Sequence, residues 1–583
     1  MGFEVRGYEC HADLSWRVVD GASVYRVYRG SAEAGPYQLM QTTARLSATD
    51  WVCDEGQSQP FFYRVAAVGS DGQESAPSLA LGATSSLMDD DALVEMVQRA
   101  TFRYFWDFGH PVSGMARERS NGNGEVVTTG GTGFGVMGVV IGASRGWISR
   151  EAAVQRLINI CSFLQFAERF HGVFPHWMNG TTGKVIPFSQ FDNGGDLVET
   201  AFLFQGLLTA RNYFDGAGAL ETGLRSVIDG LWEEVEWSWY RRNNSSVLYW
   251  HWSPNYGWQM NFPLRGFNET QIVYLLAAAA PLHKVPGSLY QSGWLGSGYN
   301  NFSSYYGYPV FCGPYGGGPL FFSHYSYLGF DPRGVKDNCC NYFIRNRNHA
   351  RIQQAYATLN PKQYEGYSAD CWGLTASDDP FVGYKAHDIA YANDNGTITP
   401  TAALSSMPYT PEESLRALRH FYRVLGKDIW GPYGFYDAFN ETANWVAPSY
   451  LAIDQGPILI MLENYRTGLL WEYFMKSPEI GPALTSLGFV EDASATEVTS
   501  ATNVPVYPNP IRPGSTLYYP CAPGEIIGAL TLQDLQGRVL FSRVVEPNPP
   551  AQLEIALPEN IPSGLYWLTN LSRTRSTKIW VAR

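Results

Sequence analysis

The stretch Phe191-Asp192-Asn193-Gly194-Gly195-Asp196-Leu197-Val198-Glu199-Thr200 runs directly into the mostly apolar segment Ala201–Leu208. Its carboxylates are spaced by four residues and then three, so on a helix Asp196 and Glu199 share one face and Asp192 sits over it at the start. Like charges stacked this way repel, and a chain that needed only a helix would avoid them. Three readings are open: an acid/base site for cleaving sugars, a metal site, or acids complementing a helix N-terminus. The run predicts a helix over 196–213. Outward from it, helical periodicity recurs near 91–107, 132–144, 150–169, 219–239, 269–282, 342–359, 411–425 and 450–468. Long aromatic, Gly-rich loops such as Gly293–Gly318 separate these segments. Simple bundles do not carry such loops, so the pattern predicts a toroid of helical hairpins whose loops build a site.

Both ends of the chain read differently. Residues 11–80 alternate with period two through Leu14-x-Trp16, Tyr25-x-Val27 and Phe62-Tyr63-x-Val65, with Gly/Asp/Ser turns between. A linker at 81–90 separates this part from the helices, and a Ser/Thr/Ala-rich linker at 491–502 follows them. The last 80 residues return to strands at Ile527–Leu532, Val539–Val545, Leu553–Leu557 and Leu565–Asn570, a small β-sandwich. The expected organisation is multidomain: a β-sandwich at 1–85, an all-α domain at 88–490 and a second β-sandwich at 503–583.

The chain has 583 residues, too many for one core. Its net charge of −13 argues against nucleic acid and anionic membrane as partners. Charged residues make up only 16%, while aromatic residues reach 15%, and aromatic faces stack on sugar rings as well as filling cores. No segment is long and apolar enough for a membrane helix, and Met1–Cys10 does not read as a secretion signal. The eight cysteines form no C-x-x-C pair of a zinc knot; Cys10 and Cys53, in one small domain, are the readiest disulfide.

Further acids stand in Leu264–Thr270, where Asn268 is placed to cap a helix with Glu269 in its first turn. Others are Asp378 and Asp379 after Trp372-Gly373, and Asp454, alone in an apolar helix, where a buried acid must be paired or functional. Trp250, His251, Trp252, Trp258, His324, Tyr325 and Trp372 accompany them. Each has a plainer reading. Glu269 complements a helix dipole, Asp192 caps a helix, and Asp196 and Glu199 pair with Arg117 or Arg119. His251 is structural, and Asp454 orders a loop. A calcium site lacks its Asp-x-Asp-x-Asp loop. Glycoside hydrolysis needs two carboxyl groups across the scissile bond, one kept protonated and one ionised. Several acids among aromatics suit that chemistry.

The runs Phe191–Thr200, Trp250–Pro254, Gly266–Glu269, Gly329–Pro332, Gly434–Asp437, Ile453–Pro457 and Glu463–Arg466 resemble the glycoamylase domain of glycoside hydrolase family 144, over roughly residues 90–490. The resemblance implies an (α/α)6 barrel and inverting hydrolysis of β-1,2-glucan, internally or as sophorose units. No cofactor or metal is expected. It also implies functional acids at Asp192, Asp196, Glu199 and Glu269. Asp454 lies in another shared run and joins them on position and chemistry, with Glu269 the first candidate for general acid. Gln455, beside it, joins the aromatic residues as a candidate sugar contact. Residues 11–80 resemble a fibronectin type III domain. Val506–Pro510, Asp534–Val539, Ile561–Tyr566 and the basic end resemble the sorting domain of the type IX secretion system of Bacteroidota, which implies that machinery as a partner and a secreted or surface location. A monomer is expected. The rival readings are a β-glucosidase or a hydrolase of another glucan, a lyase on a similar toroid, and a glycan-binding surface protein without catalysis.

Overall fold

The computed structural model describes residues 2–52, 60–296, 299–492, 511–520, 529–534, 539–545, 552–570 and 576–582. The chain divides into two compact units, Met1–Asp492 and Ala493–Arg583.

The first unit opens with seven strands, β1 (Glu4–Gly7), β2 (His11–Ser15), β3 (Ala22–Gly30), β4 (Tyr37–Thr43), β5 (Ser47–Trp51), β6 (Pro60–Gly69) and β7 (Leu81–Thr84). They form two antiparallel sheets, β1-β2-β5 and β4-β3-β6-β7. Alternate residues of β3 and β6, among them Tyr25, Val27, Tyr63 and Val65, point into the shared core, as period-two patterning requires. Trp16 lies one residue past β2 rather than within a strand, and packs in that core against Tyr25. Cys10 is disulfide-bonded; Cys53 lies outside the described residues. The sandwich is seated firmly on the helices. Glu9 pairs with Arg423 at 2.7 Å. The Tyr422 hydroxyl accepts from the Cys10 amide and meets His11 Nδ1 at 2.8 Å. Burial drives His11 down to about 4, so the ring stays neutral among Tyr8, Trp51 and Trp430.

The helical region contains α1 (Asp90–Trp106), α2 (Thr129–Ser144), α3 (Arg150–Phe166), α4 (Leu197–Tyr213), α5 (Ala219–Glu233), α6 (Gln271–Ala279), α7 (Tyr342–Leu359), α8 (Pro400–Leu404), α9 (Pro411–Arg423), α10 (Gly426–Ile429), α11 (Ala452–Arg466), α12 (Leu469–Met475) and α13 (Ile480–Leu487). Side-chain caps fix several starts, from Asp89, Ser149, Asp196 and Asn341. Helices α8, α11, α2, α4 and α6 pack side by side in that order. Helices α1, α3, α5 and α9 lie against others of the set, and α5 buries only one stripe. By contrast, α2 is buried almost all round and α4 nearly so. The two approach so closely that a Cβ on Gly133 would stand 2.2 Å from the Phe202 carbonyl oxygen, and one on Gly206 2.1 Å from that of Gly133. Only glycine fits there, which explains a Gly-rich helix that propensity alone would disfavour.

Two expectations are corrected. Residues 219–239 do not form one helix: α5 stops at Glu233, and a short 3-10 turn occupies Trp237–Arg241. Gly293–Gly318 is not an open loop. Asn300–Tyr305 and Tyr308–Cys312 pair as a hairpin, closed by Tyr306 and Gly307, both at positive φ, the geometry that matches strand twist.

In the second unit, Thr516–Pro520 pairs with Gln552–Ala556. A four-stranded antiparallel sheet runs Val539–Val544, Ala529–Gln533, Gly564–Asn570, Ser576–Val581. Leu517, Tyr519, Leu532, Ile555 and Leu568 fill its core. The Val506–Pro510 run and residues 535–538 lie outside the described residues. Among the described residues no helix is long and apolar enough to cross a membrane.

Candidate active site

The N-termini of α2, α4 and α11, and the residues leading into α6, open onto one cleft of about 440 Å³. Its acids are Glu118, Glu199 and Glu269. Its aromatic lining includes Trp177, Phe188, Trp250, Tyr325 and Tyr384. Two larger hollows, of about 560 and 730 Å³, lie where the N-terminal sandwich meets the helices and contain neither Glu199 nor Glu269.

One wall is an acid–histidine network. Asp196 is the N-cap of α4, and its Oδ1 accepts from the amides of Val198 and Glu199 at 3.0 and 2.9 Å. Its Oδ2 meets His176 Nδ1 at 3.0 Å. Gly195–Asp196 pairs with His251–Trp252, which brings His251 Nε2 to 3.3 Å from Asp192 and 3.6 Å from Asp196. Burial lowers the affinity of His176 for its proton, but the charges of Glu199, Asp196 and Asp192 outweigh burial and raise it to about 9. His176 is therefore a cation at neutral pH. Burial likewise raises Asp196, yet the hydrogen bond from His176 and the His251 charge bring it below the usual carboxylate range. The like-charge problem is thus solved by histidines rather than by Arg117 or Arg119. Donor atoms of His176, Asp192 and Asp196 come close enough to hold a cation. In the protonated state, however, His176 has no free lone pair for one.

Glu199 rises from the first turn of α4 to the first turn of α2. There its Oε2 accepts from the Gly130 amide at 2.7 Å and from Thr128 Oγ1 at 3.3 Å. A Cβ on residue 130 would stand 2.6 Å from that oxygen, so glycine makes the contact available. Burial raises the Glu199 carboxyl against the opposing pull of His176.

Glu269 is not inside a helix. Thr270 is the N-cap of α6, and Asn268 Oδ1 accepts from the Thr270 amide and hydroxyl, an Asx turn that makes the helix start two residues later than its sequence suggests. The turn leaves Glu269 at the cleft lining. Burial raises its carboxyl to about 7, its own backbone N–H offsets part of that rise, and the charges of Asp196 and Glu199 add to it.

A second acid chain begins at Arg119, which holds Glu118 at 2.9 Å and Asp378 at 3.1 Å. The Asp378 amide donates to Asp437 Oδ2 at 2.7 Å, and Asp454 lies beside Asp437. Among the described residues neither oxygen of Asp454, nor Asp437 Oδ1, has another protein partner, so a proton shared between the two carboxyls satisfies both. Burial, reinforced by Asp378, raises Asp437 to about 7; burial and the Asp437 charge raise Asp454 well above the carboxylate range. Tyr325, on the cleft lining, lies within the electrostatic reach of both Asp454 and Glu269, while Asp437 and Asp454 are buried behind the lining.

The other sequence candidates fall in different places. Trp250 and Tyr325 line the cleft. Trp252 packs edge-on against His171 and Trp239, and Trp258 packs against Tyr240 and Tyr249, both off the lining. Trp372 is fully buried in the core with Leu374 and Leu404, next to Gly373 at positive φ. His324 is buried against Ser406 at 3.0 Å and lowered by burial to about 3, a neutral structural residue. Gln455 is buried and donates to the Phe435 carbonyl. Sequence reading passed over His176, Glu118 and Tyr384, and named Arg119 only as a partner for Asp196 and Glu199. Asp378 and Asp437 stood in quoted runs without a role, and only the fold joins them to Asp454.

The model of the glycoamylase family, described as "Putative glucoamylase", matches residues 261–478. An exo β-1,2-glucooligosaccharide sophorohydrolase (non-reducing end) from Parabacteroides distasonis is 45% identical over 501 residues, 82% of this chain and 69% of that protein. Among solved structures, a β-1,2-glucanase from Parabacteroides distasonis superposes with a TM-score of 0.80 at 44% identity, over 83% of this chain and 72% of the other. An endo-β-1,2-glucanase from Chitinophaga pinensis, in complex with sophorotriose and glucose, gives 0.67 at 53% identity, over 70% and 99%.

Proposed function

Since the chain belongs to the glycoamylase-domain family, we propose that it is a glycoside hydrolase that cleaves β-1,2-glucan, internally or as sophorose units, with inversion. The observation that carries the reading is Glu269, a buried carboxyl raised to about 7 on the lining of an aromatic cleft, whose Tyr325 is within electrostatic reach of Asp437 and Asp454. A carboxyl in that range still holds its proton near neutrality, as a general acid must. Glu269 gives this proton to the glycosidic oxygen, directly or through a sugar hydroxyl, as the bond to the anomeric carbon breaks. The Asp437–Asp454 pair, with one proton between two carboxyls, retains one negative charge. The pair uses that charge to take a proton from the attacking water on the opposite face.

Asp192, Asp196, His176 and His251 act as positioning residues on this reading. They hold Glu199 and the α4 N-terminus in place, and the charges of Asp196 and Glu199 add to the burial that keeps Glu269 protonated. Arg119 anchors Asp378, which keeps the Asp437–Asp454 pair from losing its shared proton. Trp250, Trp177 and Tyr325 supply apolar faces for glucose rings.

The helical domain is read as an (α/α)6 barrel, with α2, α4, α6, α8 and α11 in its inner layer. The N-terminal sandwich, with its three- and four-stranded sheets, is read as a fibronectin type III domain serving as a rigid spacer. The C-terminal sandwich is read as a type IX sorting domain, and the protein as a secreted or surface-attached monomer. Incubating the protein and its Glu269→Gln variant with β-1,2-glucan tests the catalytic reading: release of β-1,2-linked products by the native chain and loss of release by the variant are expected. Near-normal turnover by the variant removes Glu269 from the mechanism.

A further inference from the structure

Away from the cleft, three cysteines distant in sequence meet. Cys312 ends the hairpin strand Tyr308–Cys312, and Cys339 and Cys340 lie just before α7. Their Sγ atoms all lie within 4.8 Å of one another, and Cys312 and Cys340 are 3.9 Å apart. Zn–S bonds of about 2.3 Å in a tetrahedron set sulfurs about 3.8 Å apart, so this spacing is that of thiolates around one ion. The Cys339 and Cys340 amides both donate to Asp337 Oδ1, at 2.7 and 3.1 Å, which fixes the turn that presents the two thiols. Asn300 Oδ1 is 3.2 Å from Cys339 Sγ, next to the cluster on the partner strand. Cys312 and Cys340 are buried, while Cys339 is partly open to solvent and gives access.

A second observation concerns charge. Arg345, one turn into α7, is fully buried, and among the described residues its guanidinium has no carboxylate within ion-pair distance. It donates to Ser323 Oγ, to His349 Nδ1 and to the carbonyls of Cys312 and Gly317. His349 is held neutral by burial and by Arg345 itself, so it adds no second positive charge, and it has no negative charge to offer. A buried cation without a counter-ion is costly. Three thiolates around a divalent ion carry a net charge of about −1, and a Cys312 backbone contact places that charge beside the guanidinium.

We propose that Cys312, Cys339 and Cys340 form a thiolate site for one soft d10 metal ion, with Zn2+ the reference occupant and Asn300 Oδ1 or water as fourth donor. Binding releases the remaining thiol protons to solvent as three metal–sulfur bonds form. The ion ties the 300–312 hairpin to the start of α7. Arg345 then lies 3.8 Å from the Phe267 ring, two residues before Glu269, so the site braces the backbone that presents the acid.

The test uses the full chain, reduced and stripped of metal, titrated with Co2+ and then Zn2+. One Co2+ per chain with thiolate-to-cobalt charge-transfer absorption, bleached by Zn2+, is expected. Cys339→Ala is expected to weaken Co2+ binding by at least about 100-fold, the upper end of the cost of outer-shell changes. Cys371→Ala, in a separate Cys/His/Glu group, is expected to leave it unchanged. Absence of the charge-transfer band in reduced, folded wild-type protein overturns the proposal. So does a band that survives Cys339→Ala. So does a disulfide among the three cysteines in protein that takes up no Co2+ once reduced.

Discussion

Glu269→Gln separates the cost of a buried acid from its use. In the folded chain Glu269 keeps its proton up to about pH 7; unfolded, it loses it near 4.5. Between those values the native state binds more protons, so stability falls as pH rises through the window, and the full cost is present above about 7. A rise of that size corresponds to about 3 kcal/mol. Glutamine has a similar shape and no proton to lose. The variant is therefore expected to gain stability over the native protein between pH 4 and pH 8, by up to about 3 kcal/mol, while its turnover of β-1,2-glucan falls about 10²- to 10⁴-fold. Urea unfolding followed by tryptophan fluorescence at the two pH values, beside reducing-sugar release, reads both quantities. A stability difference that is the same at both pH values refutes the claim that the fold keeps Glu269 protonated. A stability gain without loss of turnover refutes its role as acid.

Further outcomes follow from the same geometry. The kcat/KM for β-1,2-glucan is expected to fall tenfold per pH unit above about 7, as free Glu269 ionises; a flat profile from pH 6 to 9 counts against it. Arg119→Met leaves buried Asp378 without its cation and is expected to destabilise the chain by about 3–5 kcal/mol, measured by denaturant midpoint. Gly130→Ala pushes a Cβ to 2.6 Å from Glu199 Oε2, and a loss of about 1–3 kcal/mol with reduced activity is expected; unchanged activity would detach Glu199 from the site. His176→Gln removes the cation between Asp192, Asp196 and Glu199 and is expected to lower the melting temperature most below about pH 6.5 and least above pH 9, because a His176 raised to about 9 contributes stability that is fully present below its ordinary value and is lost as pH rises through 9.

Much of the fold was legible because helical and strand periods differ. The apolar rows that define α1, α3, α7 and α9 appear directly in the sequence, and so does the alternation of β3 and β6. What was not legible came from tertiary contact. The extent of α2 depends on glycines that pack backbone on backbone against α4, which no local pattern announces. The start of α6 moved because an Asx turn at Asn268 competes with the helix. At the site, carboxylates at spacings of four and three announced a functional cluster, but the histidines that neutralise it lie 16 to 59 residues away along the chain. Trp372 and His324 show the opposite limit: an aromatic residue near an acid in sequence reads the same whether it faces a cleft or a core.

The most direct measurement is proton NMR of the products formed from β-1,2-glucan, taken in the first minutes beside parallel digests of starch and of β-1,3- and β-1,4-glucans. New reducing ends are expected from β-1,2-glucan alone, appearing first as the α-anomer. Release from starch, or a first product in the β-anomer, would contradict this expectation.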